Sequence, residues 1–237
     1  MIEIEKLSYS YEDGRTALAA LNLSVSTGEK IALVGPNGAG KTTLLLHLNG
    51  ILRGEGIVRV GGEIINERNL SKIRAEVGLA FQSPDDQLFS NSVYEDVAYG
   101  LIYQGAPAGM IKDRVAAALE MVGMPGCEGR SPYHLSLGEK KRIALATVLV
   151  MQPRVLALDE PTAGLDPRGR RGIINLLAGL EQTLIIATHD LGLAKELCPR
   201  MVIMDAGRII YDGSTMVAFQ NPALLEKHGL TDYYIDS

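Results

Sequence analysis

Nine residues, Gly35-Pro36-Asn37-Gly38-Ala39-Gly40-Lys41-Thr42-Thr43, have the types and spacing needed to hold a polyphosphate. The run fits G-x-x-x-x-G-K-[ST]; the apolar stretch 31–34 before it reads as a buried strand, and 44–48 after it as a helix. Glycines at 35, 38 and 40 let the backbone turn tightly and aim successive N–H groups at one anion. The helix starting near Gly40 adds the positive end of its dipole. Lys41 is expected to reach the β- and γ-phosphates, and the Thr42 hydroxyl to ligate Mg²⁺.

A second pattern complements the first. Four apolar residues at 155–158 read as a buried strand, with Asp159 and Glu160 at its carboxyl end. Beside a phosphate loop, Asp159 is suited to hold Mg²⁺ through water and Glu160 to orient or deprotonate the attacking water. The strand at 184–187 ends in Thr188-His189-Asp190, where His189 either hydrogen-bonds a terminal phosphate or closes a capped turn. Gln82 follows the apolar run 77–81, at the strand end where open sheets bind ligands, or is an ordinary loop residue. Ser136 and Glu139 in Leu135-Ser136-Leu137-Gly138-Glu139 make a capping box, and the helix start offers a second anion site. Capping boxes are common, so this pattern alone does not discriminate. Tyr9 and Tyr11 precede the loop; one could stack on an adenine or both could pack in the strand.

The elements that position these groups follow from periodicity. Residues 2–7 and 19–25 alternate apolar and polar, as half-exposed antiparallel strands do, with a turn at 11–14. Residues 54–65 read as a hairpin with Gly61-Gly62 at its turn, and 70–75 as a short helix. Helical periodicity covers 93–103 and 109–123, and no convincing strand occurs between about 85 and 135, so a helical lobe is inserted into an α/β core. Asp166 is placed to cap a helix from 167 to about 180. A hairpin spans 201–211 around Asp205-Ala206-Gly207; two short helices follow over 214–229, then a polar end at 230–237.

Composition narrows the function classes. The 237 residues are 46% hydrophobic and carry a net charge of −5, so no basic footprint suggests a nucleic-acid partner. The two cysteines, Cys127 and Cys198, are far apart and read as reduced thiols. The N-terminus lacks a signal-peptide profile and no apolar run reaches the roughly 18 residues of a spanning helix, so a membrane role would come through a partner.

In their order along the chain, these motifs resemble the ATP-binding-cassette (ABC) ATPases: the loop at 35–43, Gln82, LSLGE at 135–139, LALDEP at 156–161, AGLD at 163–166 and His189. The resemblance implies a P-loop NTPase α/β core with an N-terminal antiparallel β subdomain and an inserted α-helical subdomain. In residue numbers, it implies a RecA-like core with β subdomain over 1–84 and 146–213, a helical subdomain over about 85–145 and a helical tail over 214–237. It also makes Tyr11 the adenine-stacking aromatic, and Gly35, Asn37, Gly38, Gly40, Lys41, Thr42 and Thr43 nucleotide contacts. Ser136, Gly138 and Glu139 become signature contacts, His189 a γ-phosphate sensor, and Gln82 a link from γ-phosphate and Mg²⁺ to the helical lobe. Two copies are implied to sandwich two ATPs, each held by one subunit's loop and the other's signature, with Asp166 reaching across.

The usual signature is LSGGQ; here Leu137 replaces Gly and Glu139 replaces Gln. The run 82–89, then 93–100, and the approach Arg130-Ser131-Pro132-Tyr133-His134 resemble energy-coupling-factor (ECF) importers, and among them the ATPases of cobalt and nickel uptake. That implies a peripheral ATPase at the cytoplasmic membrane face, working with a second cassette, a transmembrane scaffold protein docking after Gln82, and a substrate-specific membrane component. Vitamin-specific relatives share much of the pattern. Soluble ABC proteins of translation or repair differ in carrying paired cassettes, coiled coils or zinc hooks.

Overall fold

The computed structural model describes residues 1–230. Alternating burial builds an N-terminal hairpin from β1 (Ile2–Ser10) and β2 (Thr16–Val25). The hairpin is longer than the alternation predicts. Lys6 and Ala20 both take left-handed backbone with φ 50°, and the register shifts around Leu7, so the period breaks although the pairing continues to Ser10–Thr16. β3 (Lys30–Val34) then enters the core and ends at the phosphate loop, which opens α1 (Lys41–Leu48). β4 (Glu55–Val60) and β5 (Glu63–Ile64) form the expected hairpin, followed by α2 (Leu70–Glu76) and β6 (Val77–Ala80).

Next come α3 (Val93–Tyr103), α4 (Ala108–Met121) and α5 (Leu137–Leu149), without an intervening strand. α3 opens on a complete capping box between Ser92 and Glu95. The chain continues through β7 (Val155–Asp159), α6 (Pro167–Ala178), β8 (Thr183–Ala187) and α7 (Leu191–Leu197). β9 (Arg200–Asp205) and β10 (Arg208–Ser214) make the second expected hairpin. α8 (Thr215–Phe219) and α9 (Pro222–Lys227) are the two tail helices; beyond Leu230, the polar end lies outside the described residues.

Two sheets result. The first is antiparallel, in the order β2-β1-β4-β5; the second runs β10-β9-β3-β8-β7-β6, with β9, β3, β8 and β7 parallel. All five residues of β7 and of β8 are buried, as parallel strands covered on both faces must be. Each fully buried Leu or Ile there contributes about 1.5–3 kcal/mol, whereas a solvent-screened surface ion pair such as Lys72–Glu63 adds little. Burial, not surface charge, therefore fixes the strand ends that carry the chemistry.

The chain divides into two compact units. The first holds residues 1–79, 154–160 and those from Glu181 onward, with both sheets, apart from the last residue of β6, and helices α1, α2 and α7 to α9. The second holds 80–153 and 161–180, that is, α3 to α6. Among the described residues, no helix is long and apolar enough to cross a membrane.

Candidate functional site

Within the first unit, β3 delivers the chain to the loop and backbone crowding dictates its glycines. A Cβ on Gly35 would sit 2.1 Å from the Met204 carbonyl oxygen, and one on Gly40 2.4 Å from that of Ala17. Gly40 also takes φ 100° as it starts α1. Asn37 and Gly38 form the exposed tip. Gly207 N–H donates to Ala39 O (3.1 Å), so the β9–β10 hairpin backs the loop. Lys41 is buried, and its Nζ donates to Gly35 O (2.6 Å) and Pro36 O (3.1 Å). Burial pushes its pKa down, while Glu160 and Asp159 pull it back up.

Thr42 and Asp159 meet directly: the hydroxyl donates to Asp159 Oδ2 at 2.7 Å. A hydroxyl and a carboxylate oxygen side by side form a hard-oxygen pair that fits Mg²⁺. Thr43 Oγ1 and the Tyr11 hydroxyl lie 2.9 Å apart. The Tyr9 ring stands edge-on to both Tyr11 and the buried His47, whose Nδ1–H donates to Thr43 O at 2.7 Å. Burial lowers the His47 pKa, the carbonyl bond opposing it. Tyr9 thus packs, and Tyr11 reaches the loop through its hydroxyl while the Arg15 guanidinium lies 5.1 Å from its ring centroid.

Glu160 adopts left-handed backbone with φ 45°, and its N–H extends the β7–β8 ladder to Ala187 O at 2.8 Å. Its buried carboxylate accepts from Thr188 Oγ1–H (3.1 Å) at Oε2, and from the backbone N–H (2.9 Å) and Nδ1–H (2.8 Å) of His189 at Oε1. The fold therefore joins Glu160 and His189, which the sequence treats separately. It also adds fully buried Thr188, which sequence reasoning passed over although it directly precedes the histidine. The arrangement holds the Glu160 carboxylate in place by its partners, within electrostatic reach of Lys41.

The second unit gathers the remaining candidates. Gln82 is exposed, and its carbonyl accepts from buried Lys141 Nζ at 3.1 Å. Two further ties fasten the loop after Gln82 to α5: Lys140 Nζ to Asp85 Oδ1 (2.6 Å), and Gln87 Nε2 to Ala144 O (2.8 Å) and Thr147 Oγ1 (2.7 Å). Sequence reasoning did not single out Gln87. Its side-chain oxygen also accepts from Phe81 N–H (3.1 Å), closing the loop on itself.

Ser136 caps α5 in the expected capping box with Glu139. Glu139 Oε2 accepts from Ser136 N–H (2.8 Å) and Oγ–H (2.9 Å), and Oε1 from Arg130 Nη1–H (2.8 Å). The Ser136 backbone bond, then the Arg130 and Ser136 side chains, hold the Glu139 pKa down to about 2. A Cβ on Gly138 would meet Leu165 at ordinary distance (3.7 Å). Leu137 is exposed, and its Cδ2 would lie 2.9 Å from a Cβ on Gly164. Asp166 caps α6, its Oδ1 accepting from Gly169 N–H at 2.6 Å.

The family description "ABC transporter" matches residues 18–163. A putative ABC transporter ATP-binding protein of Gloeobacter violaceus is 51% identical over 230 residues, covering 96% of this chain and 94% of the relative. The energy-coupling factor transporter ATP-binding protein EcfA of Methanothermobacter thermautotrophicus is 47% identical over 236 residues, covering 97% and 76%. Among solved structures, cbiO1 of Clostridium perfringens, part of the ABC transporter complex cbiONQ, superposes with TM-score 0.84 at 40% identity, covering 97% of this chain and 94% of cbiO1. A dimeric ATP-binding cassette in a post-hydrolysis state with ADP and Pi superposes with TM-score 0.83 at 25% identity, covering 91% and 99%. The chain belongs to the ABC transporter family of ATP-binding proteins, and its enzymatic class is ATPase.

Proposed function

We propose that this ATPase energises an ECF-type importer from the cytoplasmic membrane face, closing on ATP as a dimer and opening after hydrolysis. The observation that carries the enzymatic part is the buried Glu160 carboxylate, held by Thr188 and His189 one residue past the Thr42–Asp159 pair. In this reading, Gly35, Asn37, Gly38, Gly40, Lys41 and Thr43 hold the triphosphate and Tyr11 the adenine. Thr42 and Asp159 would hold Mg²⁺, whose charge would offset that of the bound triphosphate. Glu160 orients water and accepts its proton at the carboxylate; His189 fixes that carboxylate and faces the γ-phosphate. Ser136 and Gly138 meet the ATP of a second cassette, with Glu139 holding the Ser136 cap beside them, and Asp166 crosses the shared face.

Likeness to EcfA and cbiO1 supports the importer class. So does an exposed apolar face on the second unit: Phe89 and Tyr99 pack edge to face at 5.1 Å, with Ile102 and Tyr103 also exposed. That face suits a helix of a transmembrane scaffold protein, with a substrate-specific membrane component completing the complex. Cobalt or nickel is the proposed cargo, on the sequence resemblance alone.

Affinity capture of the tagged chain from native membranes tests this. The expected result is co-purification of integral membrane proteins, and loss of that recovery in Phe89→Asp, which places a charge on the apolar face. Recovery of ribosomes or DNA instead would overturn the importer reading.

A further inference from the structure

A carboxylate at the signature creates an electrostatic problem. Ser136 has one hydroxyl proton. Here it goes to Glu139 Oε2, which also takes the Ser136 backbone N–H. A polyphosphate arriving at Ser136 meets an anion three residues away, where the family's usual Gln is neutral. Like charges this close lie within the Debye length of about 8 Å at physiological salt and repel.

Arg130 stands where that repulsion would be cancelled. Its Nη1 bonds the other Glu139 oxygen. Its backbone is anchored too: Arg130 N–H donates to Cys127 O, and Arg130 O accepts from Val93 N–H, each at 2.9 Å. The guanidinium is thus presented from a segment tied to the start of α3.

We propose that Arg130 is a positioning residue of the signature, neutralising Glu139 and holding it against Ser136 so that ATP meets a compensated ion pair. This rests on the reading of Ser136 as an ATP contact. An ornamental pair would behave otherwise: at 48% and 30% side-chain exposure it would shift stability slightly and leave the response to ATP unchanged.

The test is steady-state ATP hydrolysis by the full chain, with thermal unfolding run alongside. In Arg130→Ala, KM for ATP is expected to rise about tenfold, with the deficit shrinking as salt screens it. Arg130→Lys, which keeps the charge, should recover part of it. In a Glu139→Gln background, adding Arg130→Ala should change KM by less than about twofold, because the charge needing compensation is gone. An equal rise in both backgrounds, or a shift in melting temperature with no rise in KM, overturns the proposal. Ser136→Arg separates the premises: if it hydrolyses ATP normally, the signature reading falls and takes this inference with it. If it is inactive while the Arg130 effect ignores position 139, only this inference falls.

Discussion

Glu160 holds a left-handed backbone conformation that a non-glycine residue adopts at a cost of order 1–3 kcal/mol. The ladder bond to Ala187 and three hydrogen bonds to its carboxylate offset that cost and leave the side chain one orientation. In the proposed mechanism, a carboxylate so fixed needs no reorganisation before it accepts a proton. Glu160→Gln keeps the shape and removes the basicity, so phosphate release should fall by about 10²–10⁴-fold. Equilibrium nucleotide binding should persist, because the loop residues are untouched. Near-normal turnover in that variant would remove Glu160 from its role.

At the scale of elements, α5 does two jobs. Along its length it receives the loop after Gln82 through Lys140, Lys141 and Gln87, and at its start it displays Ser136. The cap has a pH signature. Glu139 ordinarily titrates near 4.5 and is held down to about 2, so its ionised form is favoured by folding. Below 4.5 the unfolded chain takes up a proton that the folded chain refuses. The contribution is therefore complete above about 4.5 and lost as pH falls towards 2. Denaturation curves across that range should flatten in Glu139→Gln relative to the parent chain.

Elements governed by local rules were legible in the sequence. The central strands read correctly because both faces are covered and their residues are uniformly apolar, and the α5 cap because its two partners are three residues apart. The ends of β1 and β2 were not legible, since the bulges at Lys6 and Ala20 are set by pairing between strands. The loop's nucleotide pattern was plain, but the clasp of Thr188 and His189 on Glu160 spans about 28 residues and forms only through the sheet. Gln87 reaches 57 residues ahead, and Arg130 meets Glu139 across a loop whose course α3 dictates.

Across the whole molecule, the candidate residues fall into two groups. The loop, Asp159, Glu160 and His189 belong to one compact unit; Gln82, Ser136, Gly138, Glu139 and Asp166 belong to the other. A proposed cycle that needs both groups around ATP, drawn from different copies, makes association depend on the nucleotide. Glu160→Gln with ATP, or the parent chain with a non-cleavable analogue, should run as a dimer by light scattering and return to monomer with ADP. A monomer at saturating analogue, with membrane partners supplied, would end the sandwich reading.

The backbone bonds from Val93 and Tyr94 to the carbonyls of Arg130 and Glu128 splice the first turn of α3 to the segment before the signature. Tyr99 and Ile102, on the same helix, belong to the exposed apolar face. In the proposed importer, a shift of α3 imposed from the membrane side is therefore passed through these two backbone bonds to the segment that carries Arg130. Loading of a carrier elsewhere could then set the tempo of fuel consumption here without cargo ever touching this polypeptide.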